Sequence, residues 1–146
     1  MKNIVVSACL LGIACRYDGK EKKVDEVLEL TKKYNLIPVC PEQLGGLPTP
    51  RIPCEIVGDK AINQNGVDCT QEYVKGAYES LKIAKIYNSH IAILKEKSPS
   101  CGCKQIYDGA FSKTLIDKKG ITAKLFDDNK ITVIGESELE KLKDLL

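Results

Sequence analysis

The sequence predicts an α/β fold in which a parallel four-stranded sheet is flanked by helices, with long irregular loops at the carboxyl edge. Three observations carry that expectation. Four short runs rich in β-branched and apolar residues, at 3–8, 36–39, 91–94 and 131–134, have the length and composition of buried strands. Segments with helical spacing of apolar residues separate them, and strands alternating with helices imply right-handed crossovers and parallel pairing. The chain of 146 residues has the length of one domain, expected to span 1–146. A domain of that size buries about 68–70% of its unfolded surface and needs no covalent staples.

Taken in order, Asn3-Ile-Val-Val-Ser-Ala8 reads as the first strand, bounded by Cys9 and Gly12. Residues 22–34 place Val24, Val27, Leu28, Leu30 and Tyr34 at helical spacing among charged residues. Leu36-Ile-Pro-Val39 is the second strand, with its proline near the start. Residues 41–67 are dense in Pro and Gly, so no long regular element is expected there. Thr70 to Tyr87 is the clearest helix, capped by Asp68 or Thr70. Ile91-Ala-Ile-Leu94 is the third strand, and 97–119 a second irregular stretch. A short helix begins at Thr122–Phe126, Ile131-Thr-Val-Ile134 is the fourth strand, and Glu136–Leu145 the last helix. Tyr17-Asp18-Gly19 is echoed by Tyr107-Asp108-Gly109, and Asp-Gly is good turn chemistry in both places.

Composition excludes several classes of function. The net charge is +2 and its basic residues are dispersed, which argues against a nucleic-acid surface. No apolar run approaches the ~20 residues that span a bilayer. The first apolar residues run directly into Ser7 rather than into a secretory core and cleavage site, so a cytoplasmic protein is expected. Seven cysteines in such a chain read as metal ligands or nucleophiles rather than as disulfides. His90 is the only histidine, and it precedes the third strand, away from the carboxyl edge. Arg16 and Arg51 are the only arginines, both in loops, where a planar fork of donors does what lysine cannot.

Cys9 and Cys40 follow the first and second strands directly, and Cys101 lies shortly after the third. Parallel strands end on one edge, so the three thiols converge where open α/β sheets bind their ligands. Structural zinc prefers four closed ligands drawn from Cys-x-x-Cys knuckles, and none exists here. Thiolates also hold cubane iron–sulfur clusters, usually four of them. Three would leave one iron open as a Lewis acid. Cys15, Cys54, Cys69 and Cys103 remain as further thiols, with Cys54 and Cys69 read as packing.

The blocks Ser-Ala-Cys-Leu-Leu-Gly with Cys-Arg-Tyr-Asp-Gly, Pro-Val-Cys-Pro-Glu-Gln-Leu-Gly-Gly-Leu-Pro-Thr-Pro-Arg, and Lys-Ser-Pro-Ser-Cys-Gly with Ile-Tyr-Asp-Gly-Ala-Phe resemble the thiouracil desulfidase family from about Ile4 to Ile134. The resemblance implies a Rossmann-like domain carrying a [4Fe-4S] cluster on Cys9, Cys40 and Cys101. It implies non-redox desulfuration of 2-thiouracil-type bases to the oxo base and hydrogen sulfide, with Glu42 and Ser98 as the catalytic pair. The expected partner is a small thiolated base.

That chemistry is coherent with the residues present. A thiocarbonyl sulfur is soft and suits an open iron. With no histidine nearby in sequence, a carboxylate must move the protons, and Glu42 is placed for it. Ser98 would hold the water or the base edge, and Arg51 and Ser100 are the candidate substrate contacts. Two alternatives stand beside this reading: a sulfur-transfer or persulfide-handling enzyme acting on another compound, and a non-catalytic iron–sulfur or metal-binding module. Cys15 and Cys103 lie close in sequence to the implied ligands, which leaves the open iron undecided at this point.

Overall fold

The computed structural model describes residues 1–146 and opens with β1 (Asn3–Ser7), followed by a 3-10 turn at Ala8–Leu11. Ile4 and Val6 enter the core on one face of the sheet, with Val27, Ile91, Ile93 and Leu142. Val5 enters the other, with Leu81, Ala84, Leu94 and Phe126. An unbroken apolar strand is what a sheet covered on both faces requires.

The chain continues through α1 (Asp25–Glu29), a 3-10 turn at Leu30–Lys32, β2 (Asn35–Val39) and α2 (Pro41–Leu44). A hairpin of β3 (Cys54–Val57) and β4 (Lys60–Asn63) leads into α3 (Thr70–Ile86) and β5 (Ile91–Leu94). A second antiparallel pair, β6 (Gln105–Tyr107) and β7 (Leu115–Asp117), precedes α4 (Ile121–Asp128) and β8 (Thr132–Gly135). A 3-10 turn at Leu139–Lys141 and α5 (Leu142–Leu145) close the chain. No helix is long and apolar enough to cross a membrane.

The main sheet has the order β2-β1-β5-β8 with every pair parallel. Helices α3 and α4 cover one face, and α1 and α5 the other. Pro38 sits in an edge strand, where a missing donor costs least. The chain steps from β1 outward to β2, then returns to β5 on the opposite side. That reversal opens a crevice at the carboxyl ends of β1 and β5.

Two helices are shorter than their apolar spacing predicts. In place of a helix over 22–34, the amides of Lys22 and Val24 bond to the carbonyls of Cys9 and Leu10, so the helix starts only at Asp25. In place of a helix from Glu136, the Glu136 carboxylate accepts from the Glu96 amide and the Ser137 amide donates to Glu96. Docking of this turn consumes the groups a helix would have used. The two irregular stretches carry the β3–β4 and β6–β7 pairs.

Helix α2 is a single turn and is held by close approach to α3. A Cβ on Gly45 would stand 1.8 Å from the Glu72 carbonyl oxygen, and one on Gly76 would stand 1.7 Å from that of Pro41. Only glycine lets these backbones meet, and their contact fixes the position of Glu42.

Candidate functional site

A cavity of about 410 Å³ opens at the carboxyl edge of the sheet. Ser7 and Cys9 reach it from β1, Cys40 and Glu42 from the end of β2, and Ser98 and Cys101 from the loop after β5. The β3 hairpin adds Cys54 and Glu55, and α3 adds Tyr73. His90 lies exposed at the other end of the sheet, beside a second cavity, as its sequence position predicts.

Cys9, Cys40 and Cys101, which the strand-end argument groups together, all line the main cavity, and Cys15 joins them. The Cys40 thiol donates to the Cys15 carbonyl at 3.7 Å, and the Cys15 thiol stands near those of Cys40 and Cys9. Its bond with Cys40 draws its pKa down, but the contact with Cys9 and burial outweigh this and bring it to about 11. The Cys40 thiol is raised strongly by its bond with Cys15 and by burial. Burial takes Cys101 up to about 12, although the nearby Ser7 hydroxyl draws it down. Cys15, Cys40 and Cys101 are therefore neutral at ordinary pH, and a bound metal would displace the protons of those that ligate it. Cys103 turns away and points its Sγ at Glu138 Oε1, 3.7 Å distant. Cys69 packs with Cys54, Ile56, Ala61 and Tyr73 in a small separate core, and Cys54 also faces the cavity. No three cysteine, histidine, aspartate or glutamate side chains close on one point as a single-ion site would require.

Glu42 is an ion-paired carboxylate. Its Oε2 accepts from Arg51 Nε at 2.8 Å, with the two side chains only 14% and 6% exposed. Arg51 also donates through Nη1 to the Pro48 carbonyl and Thr49 Oγ1, and through Nη2 to the Cys15 carbonyl. Four of its five N–H donors are thus engaged within the chain. Arg51 lines the cavity as expected of a substrate contact, holds Glu42 and the Cys15 loop, and keeps one N–H to spare.

Ser98 Oγ accepts the amides of Ser100 and Cys101 at 3.1 and 3.0 Å. Both of its lone pairs are used, so the hydroxyl proton is what Ser98 can offer the cavity. Ser100 does not reach the cavity. It is fully buried, and its hydroxyl pairs with Thr122 at 2.7 Å, which removes the expected substrate contact.

The two Tyr-Asp-Gly turns meet at this site. Asp18 and Asp108 each accept an amide two residues on, Gly19 and Gly109 are left-handed, and Tyr17 and Tyr107 both line the cavity. Sequence reasoning missed Ser7, Tyr73, Glu55 and Phe111 as cavity residues. Ser7 and Tyr73 sit inside regular elements and carry no local signal. Glu55 lies in the β3 strand, which the Gly58-Asp59 pair between apolar runs could have revealed as half of a hairpin.

Comparison with known proteins gives a consistent picture. A family model described as 2-thiouracil desulfurase matches residues 4–138. An uncharacterized protein of Bacillus subtilis (strain 168), YbbK, is 40% identical over 149 aligned positions, which cover 95% of this chain and 99% of the relative. Among solved structures, the [4Fe-4S]-dependent thiouracil desulfidase TudS is 38% identical and superposes with a TM-score of 0.94, over 98% of this chain and 96% of that one.

Proposed function

The chain belongs to the 2-thiouracil desulfurase family, and from that premise we propose that it is a [4Fe-4S]-dependent enzyme that hydrolyses the C–S bond of a thiolated pyrimidine base, giving the oxo base and hydrogen sulfide. The observation that carries the reading is the donor set of one cavity. Thiols from three strand ends face it together with an ion-paired carboxylate, and no histidine is near. An all-thiol set fits an iron–sulfur cluster, whose irons occupy separate corners and need ligands that stand apart. Cys9, Cys40 and Cys101 would hold it. When bound there, such a cluster would supply Lewis-acid chemistry, drawing on the soft thiocarbonyl sulfur and polarising the C–S bond.

The chain's own groups manage water and protons. Glu42 Oε1, the oxygen not held by Arg51, takes a proton from the attacking water as its oxygen bonds to the thiocarbonyl carbon. The C–S bond breaks as the carbonyl forms: Glu42 returns that proton to the departing sulfur, then takes the second proton released from the new carbonyl oxygen and passes it on, so the sulfur leaves as hydrogen sulfide. One water enters, one sulfide leaves, and no electrons are exchanged. Ser98 donates its hydroxyl proton to the water or to the edge of the base. Arg51 keeps Glu42 aimed through its fork of fixed bonds.

The test is an anaerobic one. Reconstituted protein given 2-thiouracil, with no added reductant, should release sulfide and uracil in equal amounts. Persulfide accumulating on a cysteine in place of free sulfide would favour sulfur transfer and overturn the reading.

A further inference from the structure

The loop after β6 is held in a costly conformation at the cavity wall. Phe111 has φ +54 and Lys113 has φ +62, a region that side chains of this bulk rarely enter. Such backbone is retained only where the surroundings impose it, and it gathers at ligand clamps. Here the surroundings are Glu55, which is 9% exposed and whose Oε1 accepts the amides of Gly109 and Phe111 at 3.0 and 3.1 Å. A Cβ on Gly109 would lie 2.7 Å from the Ile56 carbonyl oxygen, so the hairpin and the loop are also in direct backbone contact.

The result is a half-buried aromatic ring at the edge of a cavity that also holds Glu42 and Ser98. Tyr17, another ring of this wall, already faces the Arg16 guanidinium at 5.6 Å. Phe111 carries no polar atom to satisfy, and its ring offers a face to a flat heteroaromatic molecule. We propose that Phe111 is the residue on which the substrate's pyrimidine ring stacks, and that Glu55 is the positioning residue that holds it there. The inference rests on the desulfidase reading and adds a substrate-recognition residue to it.

Glycine adopts φ +54 without strain, so Phe111→Gly removes the ring while leaving the loop at ease. In reconstituted full-length protein, Phe111→Gly should keep its iron and its melting temperature. KM for 2-thiouracil should rise roughly 5- to 100-fold, the worth of one base–aromatic stack, with kcat little changed. Phe111→Leu, which keeps apolar bulk without a ring, should weaken binding in the same direction, and Phe111→Tyr should not. Glu55→Ala should raise KM as well, whereas Glu55→Gln keeps an acceptor oxygen and should restore it. Wild-type KM in both Phe111→Gly and Phe111→Leu would overturn the inference and leave the desulfidase reading standing. A loss of iron in step with the loss of affinity would also overturn it, by making the role structural. Wild-type protein that releases no sulfide from any thiolated base would overturn both.

Discussion

Glu42 shows how much of the chemistry one residue and its partner can carry. Replacing it by Gln keeps shape and hydrogen bonding but removes the proton acceptor, so turnover should fall roughly 10²–10⁴-fold while iron content stays near wild type. Full activity in Glu42→Gln with a full cluster would remove Glu42 from the mechanism. Ser98→Ala should cost less in rate, about 1.5–3 kcal/mol for one bond to a charged group. The thiols separate by the same logic. Cys9→Ser, Cys40→Ser and Cys101→Ser should each lose iron on reconstitution, and Cys69→Ser and Cys103→Ser should not, because those thiols face away from the cavity. Cys15→Ser is the sharpest of the series. Its thiol stands near those of Cys9 and Cys40, yet the open-iron reading requires the variant to keep its cluster. Loss of iron there would make Cys15 a fourth ligand and close the site. The strand-end cysteines were legible in the sequence because parallel strands share an edge. The Cys15 contact was not, because it depends on how the loop after β1 folds back.

Strands were easier to read than helix ends and loops. The runs at 91–94 and 131–134 appear as β5 and β8 to within a residue, because short, largely apolar runs are what strands of a sheet covered on both faces require. Apolar spacing overextends the first and last helices, because it is blind to amides already committed to tertiary bonds. The α2–α3 contact was invisible for a similar reason, since Gly45 and Gly76 look like loop and helix glycines until the backbones are brought together. Gly76→Ala should force α2 away from α3, costing about 1–3 kcal/mol or more by overpacking. It should lower activity more than iron content, because the displaced element carries Glu42. The turn before α5 makes a separate prediction. Burial pushes the Glu138 carboxyl up, but bonds from Lys104 and Lys141 and from the Gly135 amide outweigh this and bring it from 4.5 down to about 2. A depressed carboxyl stabilises the fold above its unfolded pKa and loses that contribution as pH falls. Unfolding free energy should therefore drop as pH falls from 4.5 to 2. Glu138→Gln should flatten that part of the profile in urea melts.

For the whole molecule, order of elements and composition revealed more than any single segment. Alternating strands and helices predict the parallel sheet, and the sheet predicts the edge at which a ligand sits. What remained hidden were long-range choices: which carboxylate Arg51 holds, which way Cys103 turns, and that both Tyr-Asp-Gly turns reach one cavity. Each depends on residues far apart in sequence meeting through a loop with no periodicity. Hydrolysis in this cavity means that a water oxygen replaces sulfur and no electrons move. Turnover of 2-thiouracil by the anaerobically reconstituted protein in heavy-oxygen water, followed by mass spectrometry of the product, tests that claim most directly. Hydrolysis requires uracil carrying one heavy oxygen for every sulfide released, with or without a reductant. Uracil without the label, or sulfide release that stops when reductant is withheld, would contradict it.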